Sequence, residues 1–260
     1  MEKNTKPVFS VITCTLNSEA YIEKCIKSLA SQKFKKYEHI IVDGFSKDKT
    51  INVINNYKKG PSKIMVYKTP ANGISNAFNF GIKKAKGKYI YFLNSDDALS
   101  DPNVLSDVYK FLKKNKKTDW IYAKIKVVDN HSRIIGTFPD RKIFQIGNRL
   151  ILKYINYIPH QAVFAKNEVF KNFGLFDEKL FVNMDIEYWL RIKNHTNFVF
   201  FDRVIADYAV RSNAVSSSKD KILVNRRVLE SVQKRYLNKG EMFLVKIINR
   251  VSDRINKTYR

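Results

Sequence analysis

The sequence predicts an α/β fold: a mainly parallel central sheet with helices on both faces, plus a basic helical C-terminal tail. Three observations carry this. From residue 8 to residue 97, short runs rich in β-branched and aromatic residues alternate with segments of helical period, the pattern of right-handed βαβ units. These segments end in polar residues: Thr15 and Asn17, then Asp43 and Ser46, then Asn72, then Asp96 and Asp97. In a parallel sheet such ends share one edge, where open α/β sheets bind ligands. From Lys219 onward the composition turns helical and strongly basic.

Residues 8–13 read as the first strand. Asn17 stands where a helix cap is expected, and Ile22, Cys25, Ile26 and Leu29 follow at i, i+3, i+4 and i+7, an amphipathic helix. Residues 38–42 form the next strand, ending at Asp43-Gly44; a helix with Ile51, Ile54 and Tyr57 then closes at Gly60-Pro61. Residues 64–67 are the third strand. A third helix presents Ile74, Ala77, Phe78, Gly81, Ile82 and Ala85 as one apolar stripe, and Gly87 ends it. Residues 89–93 have little polar relief and read as a strand buried on both faces.

Pro102 starts a helix through Val104, Leu105, Val108, Phe111 and Leu112. Residues 120–123, 125–128 and 133–136 read as short strands, with the turn between the last two at 129–132. Residues 139–158 are ambiguous, with helical tendency at 150–152. Pro159-His160-Gln161 opens a strand at 162–165, and a short helix runs to Phe173-Gly174. Residues 177–183 are loop, 185–193 helix, and 197–201 and 204–210 strand. The main domain spans residues 1–215 and the tail 216–260, where Leu244, Ile247, Ile248, Val251 and Ile255 share a face and Lys246, Arg250, Arg254 and Lys257 lie off it.

At 260 residues and 44% hydrophobic content, the chain suits one large α/β domain with an appendage. Its polar N-terminus is expected to carry no secretory signal, and no apolar run approaches the ~20 residues that span a bilayer. Cys14 and Cys25 fit core positions, which suits a reducing, cytoplasmic compartment. The formal charge of +24 predicts attraction to polyanions, part of it being lysines that solvate helix faces. In the tail, the charge and the apolar stripe suit a helix on an anionic membrane surface; a helix docked on the body is the other reading. Interleaved basic and aromatic residues that read nucleic acid are missing, so no nucleic-acid partner is expected.

The buried strand at 89–93 runs into Asp96-Asp97. Adjacent carboxylates repel, and each loses solvation unless a cation or donors neutralise it. A hard divalent metal with oxygen ligands is one neutraliser. A cap or turn leading into Ala98-Leu99-Ser100-Asp101-Pro102 is the other reading. The polar density of residues 43–48 favours a nucleotide site.

Six motifs in order resemble a family 2, GT-A fold glycosyltransferase of the bacterial kind that builds surface polysaccharides. They lie at residues 11–17, 42–50, 72–82, 87–97, 174–177 and 185–191; any one is weak, but the ordered set is specific. The resemblance implies a Rossmann-like sheet and inverting transfer from a nucleotide sugar, UDP-linked, to a saccharide or polyprenyl-diphosphate-linked glycan, with Mn²⁺ or Mg²⁺ as cofactor. Carried over by position, Thr13, Thr15, Asn17, Asp43, Ser46, Asn72 and Asp96 bind the nucleotide, with Asp43 accepting from the uracil imide. Asp96 and Asp97 match the DxD region; one faces the ribose and the other the metal, with Asp97 favoured for the metal. Asp185 matches the catalytic base, worth roughly 10²–10⁴ in rate.

His160, Asn76 and Arg191 fall on the acceptor or donor-sugar side. A structural histidine and a structural ion pair are the other readings of His160 and Arg191. Four departures stand out: Asn94 and Asn76 where Asp is common, Met184 where Glu is common, and residues 211–216 in place of a Gly-rich loop. The resemblance places the enzyme in the cytoplasm, with the tail holding it peripherally at the inner face of the cytoplasmic membrane. Two other classes compete. A nucleotidyltransferase needs a Gly-rich, basic phosphate loop after the first strand, which residues 13–17 lack. A basic nucleic-acid binder is suggested by charge alone.

Overall fold

The computed structural model describes residues 6–58, 64–129, 133–145, 147, 149–210 and 219–258, without the side chains of 219–222 and 250–258. The apolar runs form β1 (Phe9–Thr15), β2 (Tyr37–Asp43), β3 (Ile64–Lys68) and β4 (Tyr89–Phe92), separated by α1 (Ile22–Ala30), α2 (Thr50–Lys58) and α3 (Ile74–Lys84). All four strands are parallel, in the order β3-β2-β1-β4. Thr15 lies opposite Asp43 and Ile12 opposite Phe92, so the polar strand ends share one edge as expected. The second half adds β5 (Ala98–Leu99), α4 (Val104–Lys114), β6 (Trp120–Val128), β7 (Ile134–Phe138), α5 (Arg149–Leu152), β8 (Val163–Lys166), α6 (Asn167–Phe173), α7 (Met184–Ile192) and β9 (Phe198–Ala209). Antiparallel β8 joins β4 to β6; β9 runs parallel to β6, β5 antiparallel to β9, and β7 antiparallel to β6.

Both faces of the sheet are covered. On one, Ile12, Ile40, Phe92 and Trp120 pack with Phe78 of α3 and Trp189 of α7. On the other, Phe9, Val11, Tyr91 and Ile121 pack with Cys25 and Leu29 of α1 and Leu105 and Val108 of α4. All four apolar positions chosen for α1 are buried. Gly81 permits the close approach of α3 to β1: a Cβ there would lie 2.5 Å from Ile12 Cγ2.

Several local expectations change. Strands β6 and β9 are each continuous where two pieces were expected. Their pairing shifts register on either side of Lys124, whose Nζ pairs with Asp202 Oδ1 at 2.5 Å. Those charges interrupt the apolar pattern without ending the strands. Helix α4 starts at Val104 rather than Pro102. Gly60-Pro61, residues 130–132 of the expected turn, and the departing loop at 211–216 lie outside the described residues.

The tail is helical, with α8 (Lys219–Gln233) and α9 (Lys239–Thr258). Val232 of α8 joins the main core, and the Tyr236 hydroxyl bonds Glu187 of α7. Helix α9 packs through Met242 and Val245 against Leu237, Tyr154 and Tyr236. Leu244 and Ile247, of the face expected to be apolar and packed or inserted, are 48% and 41% exposed. No helix among the described residues is long and apolar enough to cross a membrane.

Candidate active site at the carboxyl edge of the parallel strands

The loops after β1 and β2 hold each other through backbone N–H groups and short polar side chains. Asn17 N donates to Ser46 Oγ (2.9 Å), and Lys47 N returns to Asn17 Oδ1 (2.9 Å). Ser18 N donates to Thr50 Oγ1 (2.7 Å) and Glu19 N to Asp48 Oδ2 (3.1 Å). Asn17 is therefore not the expected helix cap. It adopts φ 51°, tolerable for Asn, and clasps the neighbouring loop, while α1 begins after Tyr21 with no side-chain cap. Asp43 is fully buried at the end of β2, where it accepts from Ser46 Oγ (2.5 Å) and Ser46 N (3.1 Å).

Beside this clasp lies a largely apolar cavity of about 230 Å³, lined by Cys14, Thr15, Gly44, Pro70, Ile74 and Ala77 among others. Thr15 Oγ1 is buried with no hydrogen-bond partner among the described residues, a donor and acceptor open to a ligand. The N-terminal end of the α3 apolar stripe, Ile74 and Ala77, lines this cavity, and Phe78 and Ile82 face the core. A larger cavity, about 920 Å³, opens at the opposite edge among Lys35, Lys36, Lys86, Lys88 and others; it contains none of the expected site residues.

The loop after β4 carries the acidic pair. Asp97 is 1% exposed and accepts from Asn94 Nδ2 at Oδ2 (2.9 Å) and from Ala209 N at Oδ1 (3.3 Å). Burial, reinforced by the charge of Asp96, pushes its carboxyl from 3.8 to about 7, against the opposing influence of His160 and the two donors. Asn94 Nδ2 also lies 3.3 Å from His160 Nε2, and His160 Nδ1 lies 3.5 Å from Asp185 Oδ2, in the first turn of α7. Ser18 Oγ and Ser95 Oγ, 3.1 Å apart, tie this loop to the clasp.

The expected site residues thus divide. Thr15 lines the cavity, and Asp43 and Ser46 lie bonded to each other in the clasp beside it; Asp96, Asp97, His160 and Asp185 gather at the acidic loop. Asn72 is exposed at the turn before α3. Thr13 is not at the site: its side chain is buried, with Oγ1 3.0 Å from His39 Nε2 and 3.8 Å from Cys25 Sγ. Asn76 donates to Glu178 (3.1 Å) and helps bind α3 to the loop before α7. Arg191 is also structural. It donates to Glu187 (3.2 and 2.6 Å), Phe173 O (2.8 Å) and Leu175 O (3.0 Å), so four of its five N–H donors go to protein groups. Asn94, Ser18, Ser95 and Glu178 received no assigned role from sequence. Only Asn94 carried a signal, as an amide where the resemblance leads one to expect a carboxylate.

The donors fit a divalent cation in part. Asp96 and Asp97 are hard oxygen donors, and a cation beside Asp97 would offset the desolvation that raises its carboxyl. Among the described residues no group of three or more His, Cys, Asp and Glu is placed to hold a metal. The protein would thus supply one or two carboxylates and leave the rest to phosphate and water, the usual arrangement for Mg²⁺.

The profile of the family described as Glycosyl transferase family 2 matches residues 10–173. A PGL/p-HBAD biosynthesis glycosyltransferase of Mycobacterium bovis is 26% identical over 224 residues, covering 85% of this chain and 84% of the relative. An uncharacterized glycosyltransferase of Rickettsia typhi is 28% identical over 258 residues, covering 95% of this chain and 78% of the relative. Among solved structures, S. aureus TarS 1-349 in complex with UDP-GlcNAc superposes with TM-score 0.69 at 23% identity, covering 91% of this chain and 70% of that one. Mannosyltransferase PcManGT from Pyrobaculum calidifontis, in complex with GDP-Man and Mn²⁺, superposes with TM-score 0.69 at 15% identity, covering 90% and 66%. These structural likenesses bear on the fold, which is GT-A.

Proposed function

This chain belongs to glycosyl transferase family 2, and from that premise we propose an inverting, metal-dependent transfer of a sugar from a UDP-sugar to a saccharide or polyprenyl-diphosphate-linked glycan in surface polysaccharide synthesis. That it is a glycosyltransferase follows from the family and the relatives; the nucleotide-sugar donor is part of the proposal. One observation carries the finer reading. Asp97 and Asp185, distant in sequence, meet in a single run of contacts through Asn94 and His160. In this reading the group that stabilises the leaving diphosphate and the group that takes the proton are therefore adjacent. The UDP complex of TarS and the Mn²⁺ complex of PcManGT support the choice of nucleotide and metal.

In this reading residues 1–215 carry the chemistry. The cavity beside Thr15 and Gly44 takes the nucleobase, and Asp43, next to Gly44, accepts from its imide in exchange for its Ser46 hydroxyl contact. Asp96 faces the ribose and Asp97 holds Mn²⁺ or Mg²⁺, which when bound supplies positive charge to the leaving diphosphate. Asp185, with its side chain 16% exposed, takes the proton of the acceptor hydroxyl. That hydroxyl attacks opposite the leaving group, so the anomeric centre inverts and no enzyme nucleophile is required. Residues 216–260 hold the enzyme peripherally at the inner face of the cytoplasmic membrane, with the exposed Phe243, Leu244 and Ile247 of α9 supporting that role. The test is a panel of nucleotide sugars assayed for Mn²⁺- or Mg²⁺-dependent release of nucleoside diphosphate. Turnover of a UDP-sugar is expected; no turnover of any donor, with UDP failing to stabilise the protein, contradicts the proposal.

A further inference from the structure

Asn94 and His160 have no part in the chemistry described so far. We propose that they are positioning residues for the base: Asn94 sets the tautomer of His160, and His160 then holds one carboxylate oxygen of Asp185, leaving the other for the acceptor hydroxyl. The inference rests on the reading of Asp185 as base.

Asp97 Oδ1 accepts from the Ala209 N–H at 3.3 Å, while the Asn94 amide turns its NH₂ toward Asp97, donating to Oδ2 at 2.9 Å. The same nitrogen lies 3.3 Å from His160 Nε2, which receives the second hydrogen. A neutral imidazole whose Nε2 accepts carries its proton on Nδ1. That nitrogen is 3.5 Å from Asp185 Oδ2, and His160 is the only side-chain partner shown for Asp185 among the described residues. The contact is long for a hydrogen bond, as catalytic contacts commonly are before substrate tightens them.

The ring is held where this works. It heads the 3-10 turn His160–Ala162, packs edge-on to Phe78 with centroids 6.2 Å apart, and is followed by Gln161, whose carbonyl accepts from Tyr91 Oη at 2.9 Å. A carboxylate at position 94 would reverse the arrangement. It can only accept, so it would draw the imidazole proton to Nε2 and remove the donor from Asp185. The amide at 94 thus determines which way the histidine works.

Two measurements on the full-length protein test this. In a long-range ¹H–¹⁵N correlation of the imidazoles at pH 8, the His160 signals, identified by their loss in His160→Asn, are expected to show protonated Nδ1 and bare Nε2. In Asn94→Asp the proton is expected on Nε2. An Nε2–H tautomer in the unmutated protein overturns the proposal. In transfer assays, His160→Asn retains an N–H near the Nδ1 position, whereas His160→Gln retains one near Nε2. His160→Asn is expected within about tenfold of the original kcat and His160→Gln about 100-fold below it, with donor KM unchanged. Equal losses, or a more active Gln variant, would overturn it as well. The imidazole measurement needs no turnover, so it stands or falls apart from the role of Asp185.

Discussion

Replacing Asp97 by Asn is expected to stabilise the unliganded protein at alkaline pH while abolishing metal-dependent nucleotide binding. The Asp97 carboxyl is pushed from 3.8 to about 7, first by burial and then by Asp96. Its pKa is therefore higher folded than unfolded, and the folded state is the one that favours the proton. The associated stability is fully present below about pH 4 and is lost as pH rises through about 7. At 1.36 kcal/mol per unit, the shifted carboxyl costs the fold about 4 kcal/mol at pH 8, where it is held ionised, and about 2 kcal/mol at pH 5, where folding must protonate it. Asn carries no charge, but it cannot accept from both Asn94 and Ala209; the bond left unmade costs about 1–3 kcal/mol. The net expectation is a gain of about 1–3 kcal/mol at pH 8 and little or none at pH 5. Denaturant unfolding of both proteins in EDTA at the two pH values measures it. A difference of the same size at both pH values would refute the reasoning. Added Mn²⁺ should then raise the midpoint of the unmutated protein at pH 8 and leave that of Asp97→Asn in place.

Other outcomes follow from the same geometry. Asp43→Asn should weaken UDP binding about 10- to 100-fold by calorimetry, the worth of one hydrogen bond to a charged group, with kcat near that of the unmutated enzyme at saturating donor. Arg191→Met should lower stability by about 3–5 kcal/mol in denaturant titrations, because Glu187 is buried and loses its cation, while donor KM stays unchanged. The protein should sediment with anionic vesicles and not with zwitterionic ones, and salt should release it.

The parallel half of the fold was legible because each element declares itself locally. Alternating apolar runs and helical stripes between Val8 and Leu93 need no distant information to be read. The second half depends on pairings that local pattern does not encode. β8 runs back against β4, and β6 and β9 each pass through charged residues, Lys124 and Asp202, that resemble strand ends until their mutual ion pair is seen. The tail reads as helical with Leu244 and Ile247 on an apolar face for a membrane surface or for the body; α9 packs on the body through Met242 and Val245 instead, outside that set of residues. At the site, acidic residues were recognisable by type and order, and Asp96, Asp97, His160 and Asp185 do converge. Polar residues whose work is structural were not separable from binding residues. Thr13, Asn76 and Arg191 are each engaged by partners far away in sequence, His39, Glu178 and the carbonyls of Phe173 and Leu175.

The most direct test of the central claim is the single-turnover rate of sugar transfer by Asp185→Asn, measured beside its affinity for the donor nucleotide. A rate about 10²–10⁴-fold below that of the unmutated enzyme, with donor affinity unchanged, is the predicted result. Transfer within a few-fold of the original rate would contradict it and place the proton acceptor elsewhere.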